Sequence, residues 1–142
     1  MIQHVRTCII LFSWVCFVST TFGALSSADL RERRIAKARL FVIGDFTGIA
    51  GGPGYEERQL RLLLKEPDAA SRMRRILATG TPEGQMYGLY GLRRLGDPAF
   101  ESYATALEHS PGAICTTTLV IGFHKSKAEV ENRIRENYFR GT

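Results

Sequence analysis

Residues 81–100 read TPEGQMYGLYGLRRLGDPAF, and this stretch decides the fold. Thr81 and the proline after it indicate a helix start, because threonine can cap a free amide and proline at the first helical position loses no hydrogen bond. Gly96 is placed to end that helix in the left-handed conformation. Asp97 then predicts the cap of a second helix, which Pro98 opens. The stretch therefore predicts a helical hairpin with a corner of about two residues, not a ligand loop.

Three glycines inside the first of these helices recur at spacings of four and three, so they lie on one face. An interior glycine costs roughly 1 kcal/mol relative to alanine, so a tertiary contact must offset that loss. Close approach of a neighbouring helix is the first explanation. The functional alternative is a groove that holds a ligand or a partner's backbone. This hypothesis names as binding residues Gly84, Gly88, Gly91, Tyr87 and Tyr90.

The other segments predict a mainly α fold of short antiparallel helical hairpins, with a minor extended or β element. Apolar spacing and capping residues predict further helices at residues 26–39, 55–66 and 68–78, and from Ser126 onward. The extended element is predicted from β-branched and apolar residues at 110–124, which could pair with residues 40–43 in a small sheet. A glycine-rich loop is predicted before residue 55.

The N-terminal segment has the three parts of an export signal: a short basic start, an apolar core and a small-residue end. We predict that residues 1–23 are a signal peptide and that the protein is exported to the periplasm or the extracellular space. The alternative is an uncleaved anchor at residues 7–25, since a span needs about 20 apolar residues. Residues 24–54 then form a basic helix with a glycine-rich loop, and residues 55–142 form a helical domain.

The net charge is +5, and the basic residues fall in clusters. These are Arg31, Arg33, Arg34, Lys37 and Arg39; Arg72, Arg74 and Arg75; and Arg93 with Arg94. Aromatic residues that stack on nucleobases are not interleaved with them, so we expect no nucleic-acid partner. An anionic membrane or envelope surface is the natural partner of an exported basic protein. The alternative is that the clusters are solvated helix faces with acidic neighbours.

Few residues in the sequence suggest catalysis or metal binding. Cys115 could pair with His109 or His124 as nucleophile and base, but no active-site signature surrounds the cysteine and the histidines are predicted on other elements. A zinc site would need a tight ligand pair that is missing here. Asp45 precedes the glycine-rich loop and is expected to shape a turn. We therefore predict no catalytic residues, no metal and no cofactor.

Residues 91–108, GLRRLGDPAFESYATALE, resemble the corner of a HEAT-type helical repeat. The matching residues are Leu95, Gly96, Asp97, Pro98, Ala99, Ala104, Ala106 and Leu107. A weaker echo lies earlier, where residues 73–76 match residues 92–95. The whole chain also looks like small exported bacterial proteins that have no assigned activity. The resemblance implies a noncatalytic helical module that binds an unknown protein partner or serves a structural role. Membrane-surface binding and an unrecognised enzyme site are the alternatives.

Overall fold

The computed structural model describes residues 25–44, 53–118 and 121–136. The predicted signal peptide and Asp45 lie outside these residues. The described part contains six helices and two strands: α1 (Ser27–Ala36), α2 (Tyr55–Leu63), α3 (Ala69–Thr79), α4 (Pro82–Leu95), α5 (Phe100–Glu108), β1 (Ala113–Thr118), β2 (Ile121–Ser126) and α6 (Lys127–Arg135). The prediction of a mainly α fold with a minor β element is confirmed.

The start and end of α4 follow the predicted pattern. Thr81 is the N-cap, and its hydroxyl oxygen accepts a hydrogen bond from the Gly84 amide at 3.1 Å. Pro82 is the first helical residue. At the other end Gly96 adopts φ 64°, the left-handed conformation in which glycine avoids the clash of a Cβ. Local sequence signals are therefore sufficient to define this helix.

The corner between α4 and α5 is longer than predicted. The second helix begins at Phe100, and a turn precedes it in which the Phe100 amide donates to the carbonyl oxygen of Asp97 at 3.1 Å. The Asp97 carboxylate accepts from the Ala99 amide at 2.9 Å, inside this turn, instead of capping α5. Its other oxygen accepts from Arg74 of α3 at 2.6 Å. The aspartate thus joins the corner to the preceding hairpin.

The glycine face of α4 packs against α3 and against the end of α1. A Cβ on Gly84 would lie 2.6 Å from the carbonyl oxygen of Ala36, and one on Gly88 would lie 3.0 Å from that of Met73. A Cβ on Gly91 would lie 2.8 Å from Cγ of Met73. A Cβ at Gly84 would have to displace backbone, one at Gly88 would be tighter than most real contacts, and one at Gly91 would have to displace the Met73 side chain. Close helix packing, the first explanation of the glycine spacing, is confirmed.

The extended segment is a hairpin, which the sequence analysis did not predict. Strands β1 and β2 pair in antiparallel register, with Ala113 opposite Ser126. The predicted pairing with residues 40–43 is reduced to one parallel bridge between Phe41 and Thr116. In this bridge the Phe41 amide donates to the carbonyl oxygen of Cys115 at 2.8 Å. The hairpin thus holds the chain that follows α1.

Tyr87 of α4 fixes the same segment from the core side. Its side chain is only 1% exposed, and its ring centroid lies 4.9 Å from that of Phe41. The hydroxyl accepts from the Val42 amide at 3.0 Å and donates to the Val42 carbonyl oxygen at 3.1 Å. Burial raises the pKa of the Tyr87 phenol, so the hydroxyl keeps the proton that it donates. Backbone polar groups near the core are satisfied in this way.

An ion-pair cluster joins α1 to α3. Arg72 is 11% exposed at its side chain and contacts three carboxylates at 2.8 Å each, those of Asp29, Glu32 and Asp68. Asp29 also forms a capping box with Ser26, in which each side chain accepts from the other's amide. We call these side chains of Asp29, Glu32, Asp68 and Arg72 the Arg72 cluster. It orients α1 on the helical core.

Stability should depend on pH through Asp29. Hydrogen bonds from Arg72 and Ser26 lower the pKa of its carboxyl from 3.8 to about 2. A lowered folded-state pKa stabilises the fold above the unfolded-state pKa, and this contribution is lost as the pH falls through the folded-state value. We expect Asp29→Asn to destabilise the protein by a constant amount at neutral pH. The difference from wild type should shrink as the pH falls below about 4 and should vanish only below about pH 2, where the folded protein also protonates Asp29.

Urea denaturation across this pH range measures the effect. The control is Glu136→Gln, which replaces an exposed carboxylate at the end of α6. A difference between Asp29→Asn and wild type that stays constant from pH 5 down to pH 2 would contradict the expected linkage.

Candidate functional site

The residues of the predicted groove lie in the core. Tyr87 is 1% exposed and Tyr90 is 8% exposed, and the three glycines are buried with them. The space that the glycines leave is filled by Met73 and Leu77 of α3 and by the backbone at the end of α1. The glycine face is therefore an internal packing surface and not an open groove. A binding surface has to be sought elsewhere on the described residues.

The β-hairpin brings together two residues that the sequence analysis placed on separate elements. Cys115 and His124 are opposite each other in the strand register. The Cys115 amide donates to Glu83 at 3.0 Å, and its carbonyl accepts from Phe41, so both backbone groups point away from β2. The side chains at such a non-hydrogen-bonded pair lie close together on one face of the hairpin. No thiol–imidazole hydrogen bond joins them in the described structure.

The third residue considered for chemistry, His109, lies outside the β-hairpin. His109 follows α5, is exposed, and its Nδ1 lies 2.8 Å from the carbonyl oxygen of Thr105. It is on a different element from the Cys115–His124 pair. Within the described ranges, no three histidine, cysteine, aspartate or glutamate side chains come together as a metal site. The absence of a catalytic set and of a cofactor stays a prediction.

Four of the nine clustered arginines, and Arg61 of α2, have carboxylate partners among the described residues, as the second interpretation of the basic clusters supposed. The pairs are Arg31 with Glu66, Arg61 with Glu57, Arg72 with its three acids, Arg74 with Asp97, and Arg75 with Glu32. Five cations on α1, α2 and the chain after α1 are different. Within the described residues, no carboxylate pairs with Arg33, Arg34, Lys37, Arg39 or Arg58. These five cations give α1, α2 and the chain after α1 an uncompensated positive charge; Arg93 and Arg94 at the end of α4 also form no ion pair within the described residues.

A cleft of about 510 Å³ opens among these cations, between the end of α1 and the start of α2. We call it the basic cleft. It is lined by Arg34, Lys37, Ala38, Arg39, Tyr55 and Glu56. The basic residues of α1 were recognised in the sequence. The cleft was not, because Tyr55 and Glu56 line it from a second helix, α2. Arg34 and Tyr55 are 21 positions apart in the sequence.

Tyr55 holds one arginine of the cleft in place. Nη1 of Arg34 donates a hydrogen bond to the Tyr55 hydroxyl, and the guanidinium carbon lies 4.9 Å from the ring centroid. Arg58 approaches the same ring at 6.0 Å. Cation–π contacts of this length are attractive, and they leave the positive charge of the guanidinium without a neutralising counter-charge. The Arg34 side chain is therefore ordered while most of its donors stay available.

Exposed apolar side chains accompany the cations. Leu30 of α1 is 55% exposed and Leu62 of α2 is 42% exposed. Each lies four residues from an arginine, Leu30 before Arg34 and Leu62 after Arg58, so each leucine and its arginine share a helix face. We call this surface, formed by Leu30, Arg34, Lys37, Tyr55, Arg58 and Leu62, the α1–α2 face.

The helices of the described ranges are all too short or too polar to cross a bilayer.

No family model, curated protein or solved structure matches this chain. The HEAT-like corner of α4 and α5 therefore stays a prediction from sequence resemblance.

Proposed function

We propose that this chain is an exported, noncatalytic helical module that binds an anionic membrane surface through the α1–α2 face. One observation carries the proposal: cations without a carboxylate partner occur together on this face with two leucines that are 55% and 42% exposed. Basic residues with leucine and tyrosine beside them are typical of surfaces that lie in a membrane interface. Helix α4 packs beneath this surface and takes no part in binding.

The expected affinity follows from charge and apolar area together. A lysine or arginine near an anionic leaflet contributes about 1 kcal/mol. Full burial of a leucine contributes about 2 kcal/mol, of which the half-exposed Leu30 and Leu62 still offer a part. Neither kind of contact alone suffices for stable attachment. Their combination on one rigid face gives reversible binding that depends on salt.

Vesicle sedimentation tests the proposal. We expect the protein to sediment with phosphatidylglycerol vesicles at low ionic strength and not with phosphatidylcholine vesicles. It should be released at about 1 M salt, where the Debye length falls to about 3 Å. Binding to neither vesicle at low salt would contradict the proposal. Binding to polyglutamate without binding to vesicles would also contradict it, and would favour an acidic protein as partner.

A matched pair of variants locates the binding surface. Arg58→Gln with Leu62→Ser removes a cation and a leucine from the α1–α2 face. Arg94→Gln with Leu95→Ser removes the same side chains from the exposed end of α4, where Leu95 is 38% exposed. We expect the first variant to bind phosphatidylglycerol vesicles about tenfold more weakly, because it loses one interfacial cation and part of the apolar contact of one leucine. The second should bind as wild type does. Equal weakening in both variants would show that only net charge matters.

A further inference from the structure

The basic cleft contains one carboxylate among its cations. Glu56 lines the cleft with Arg34, Lys37 and Arg39, and within the described ranges it forms no ion pair. Its neighbour Glu57 is different, since it is 2% exposed and accepts hydrogen bonds from Arg61 at 2.6 Å and from the Gly44 amide at 3.0 Å. Glu57 therefore has a structural role, whereas the Glu56 carboxylate faces whatever enters the cleft.

We propose that the basic cleft binds a phosphorylated polyol, with the phosphate on Arg34, Lys37 and Arg39 and a hydroxyl group on Glu56. A site for a bare anion gains nothing from a carboxylate, which repels it. A carboxylate accepts hydrogen bonds from hydroxyl groups, and charge-assisted bonds of this kind are the stronger ones. The ligand that satisfies both parts of the lining carries an anionic group and a hydroxyl group within a few bonds of each other. Glycerol phosphate has this chemistry.

The Arg34 side chain is held in position before a ligand arrives. Arg34 donates to Tyr55 through Nη1 only, and its remaining guanidinium donors can bind a phosphate in the bidentate manner that arginine favours. Holding the side chain in this way reduces the entropy lost on binding.

The backbone that carries the other two cations is fixed by Thr81. Its amide donates to the Ala36 carbonyl oxygen at 2.8 Å, and its hydroxyl lies 2.5 Å from the Ala38 carbonyl oxygen. The Ala38 amide in turn donates to Ile35 at 3.0 Å. Lys37 and Arg39 therefore extend from an ordered segment and not from a free loop. The cleft is wide and open to solvent, so a ligand larger than phosphate can lie in it with part of its surface exposed.

The inference rests on the proposed function in one respect: the lipid source of a polyol phosphate is the glycerol phosphate headgroup of phosphatidylglycerol. The same chemistry occurs in free glycerol 3-phosphate. Calorimetric titration of the full chain with glycerol 3-phosphate, inorganic phosphate and glycerol separates the parts of the ligand. We expect glycerol 3-phosphate to bind about tenfold more tightly than inorganic phosphate, because it adds a hydrogen bond to a charged acceptor. Glycerol alone should not bind.

Two variants and a control give distinct signatures. Glu56→Gln should remove the preference for glycerol 3-phosphate and should strengthen the binding of inorganic phosphate, because a repulsive charge is lost. Arg39→Gln should weaken both ligands by the same factor, about fivefold to tenfold. Arg94→Gln on α4 should change neither. Equal affinities for the two phosphates in wild type would overturn the inference, as would a Glu56→Gln variant that keeps the preference.

Vesicles identify the source of the ligand and separate this inference from the proposed function. We expect tighter binding to phosphatidylglycerol than to phosphatidylserine vesicles of equal charge density, and loss of this preference in Glu56→Gln. Preference for glycerol 3-phosphate without vesicle binding supports the cleft as a site for a soluble polyol phosphate and overturns the membrane function. Salt-sensitive vesicle binding without that preference supports the membrane function and overturns the inference.

Discussion

Replacing Gly84 by alanine is expected to lower the free energy of unfolding by about 3 kcal/mol, the upper end of the usual cost of overpacking. The added Cβ would lie 2.6 Å from the carbonyl oxygen of Ala36 and 2.9 Å from that of Ile35. Both are backbone atoms of α1, so relief requires α1 to move away from α4. Helix propensity favours alanine by only about 1 kcal/mol and does not offset the clash. The melting temperature should fall by about 10 °C.

Gly91→Ala is the informative comparison. Its Cβ would meet the side chain of Met73, whose three rotatable bonds allow it to shift, and not a backbone atom. We expect a loss of about 1 kcal/mol there, since part of the overpacking is relieved. Guanidinium denaturation followed by circular dichroism measures both variants. A Gly84→Ala protein as stable as wild type would contradict the packing described for α1 and α4.

Replacing Arg72 by methionine is expected to lower the free energy of unfolding by about 1–2 kcal/mol, because its guanidinium is only 11% exposed and bonds three carboxylates. The loss is moderate because Asp29 and Asp68 are themselves 39% and 49% exposed, so solvent screens their charges. Methionine keeps much of the apolar stem, so the effect reports the guanidinium. Glu32 keeps Arg75, but Asp29 and Asp68 lose the partner that lowers the pKa of each carboxyl. The loss should diminish as the pH falls and these carboxyls become protonated.

Arg75→Met serves as the control for the Arg72 cluster. The Arg75 side chain is 52% exposed and pairs with Glu32 alone, and exposed ion pairs contribute about 0–1 kcal/mol. Urea denaturation at pH 7 of the two variants compares them directly. Equal losses in the two variants would contradict a larger contribution from the central position of Arg72.

Helix boundaries were predictable where local chemistry determines them. Thr81, Gly96 and Ser126 act within one turn of their own positions, and each has the predicted role. Asp97 was misassigned because Arg74, 23 positions earlier, takes one of its oxygens. The β-hairpin was not predicted because residues 118–121, TLVI, contain none of the glycine, asparagine, aspartate or proline residues that indicate a turn.

The candidate site was predictable only in part. The basic residues of α1 stand out in the sequence, but which of the clustered cations keep an unpaired charge depends on acids that are distant in the sequence. Arg31 pairs with Glu66, 35 positions away, and Arg74 pairs with Asp97, 23 positions away. The glycine spacing of α4 was recognised correctly. The sequence did not show whether the glycine face forms a groove or a helix contact, because both use a face without Cβ atoms. The position of α3 decides between them.

The bridge between Phe41 and Thr116 has a consequence for the order of folding. It joins the chain after α1 to a strand that lies beyond α2, α3, α4 and α5, and such distant contacts form only after the closure entropy of the intervening loop has been offset. The α3–α4 hairpin is local and can form early. Residues 37–44 should therefore be among the last to become protected against hydrogen exchange during refolding. Lys37 and Arg39 line the basic cleft. They should therefore reach their final positions in this last step of folding.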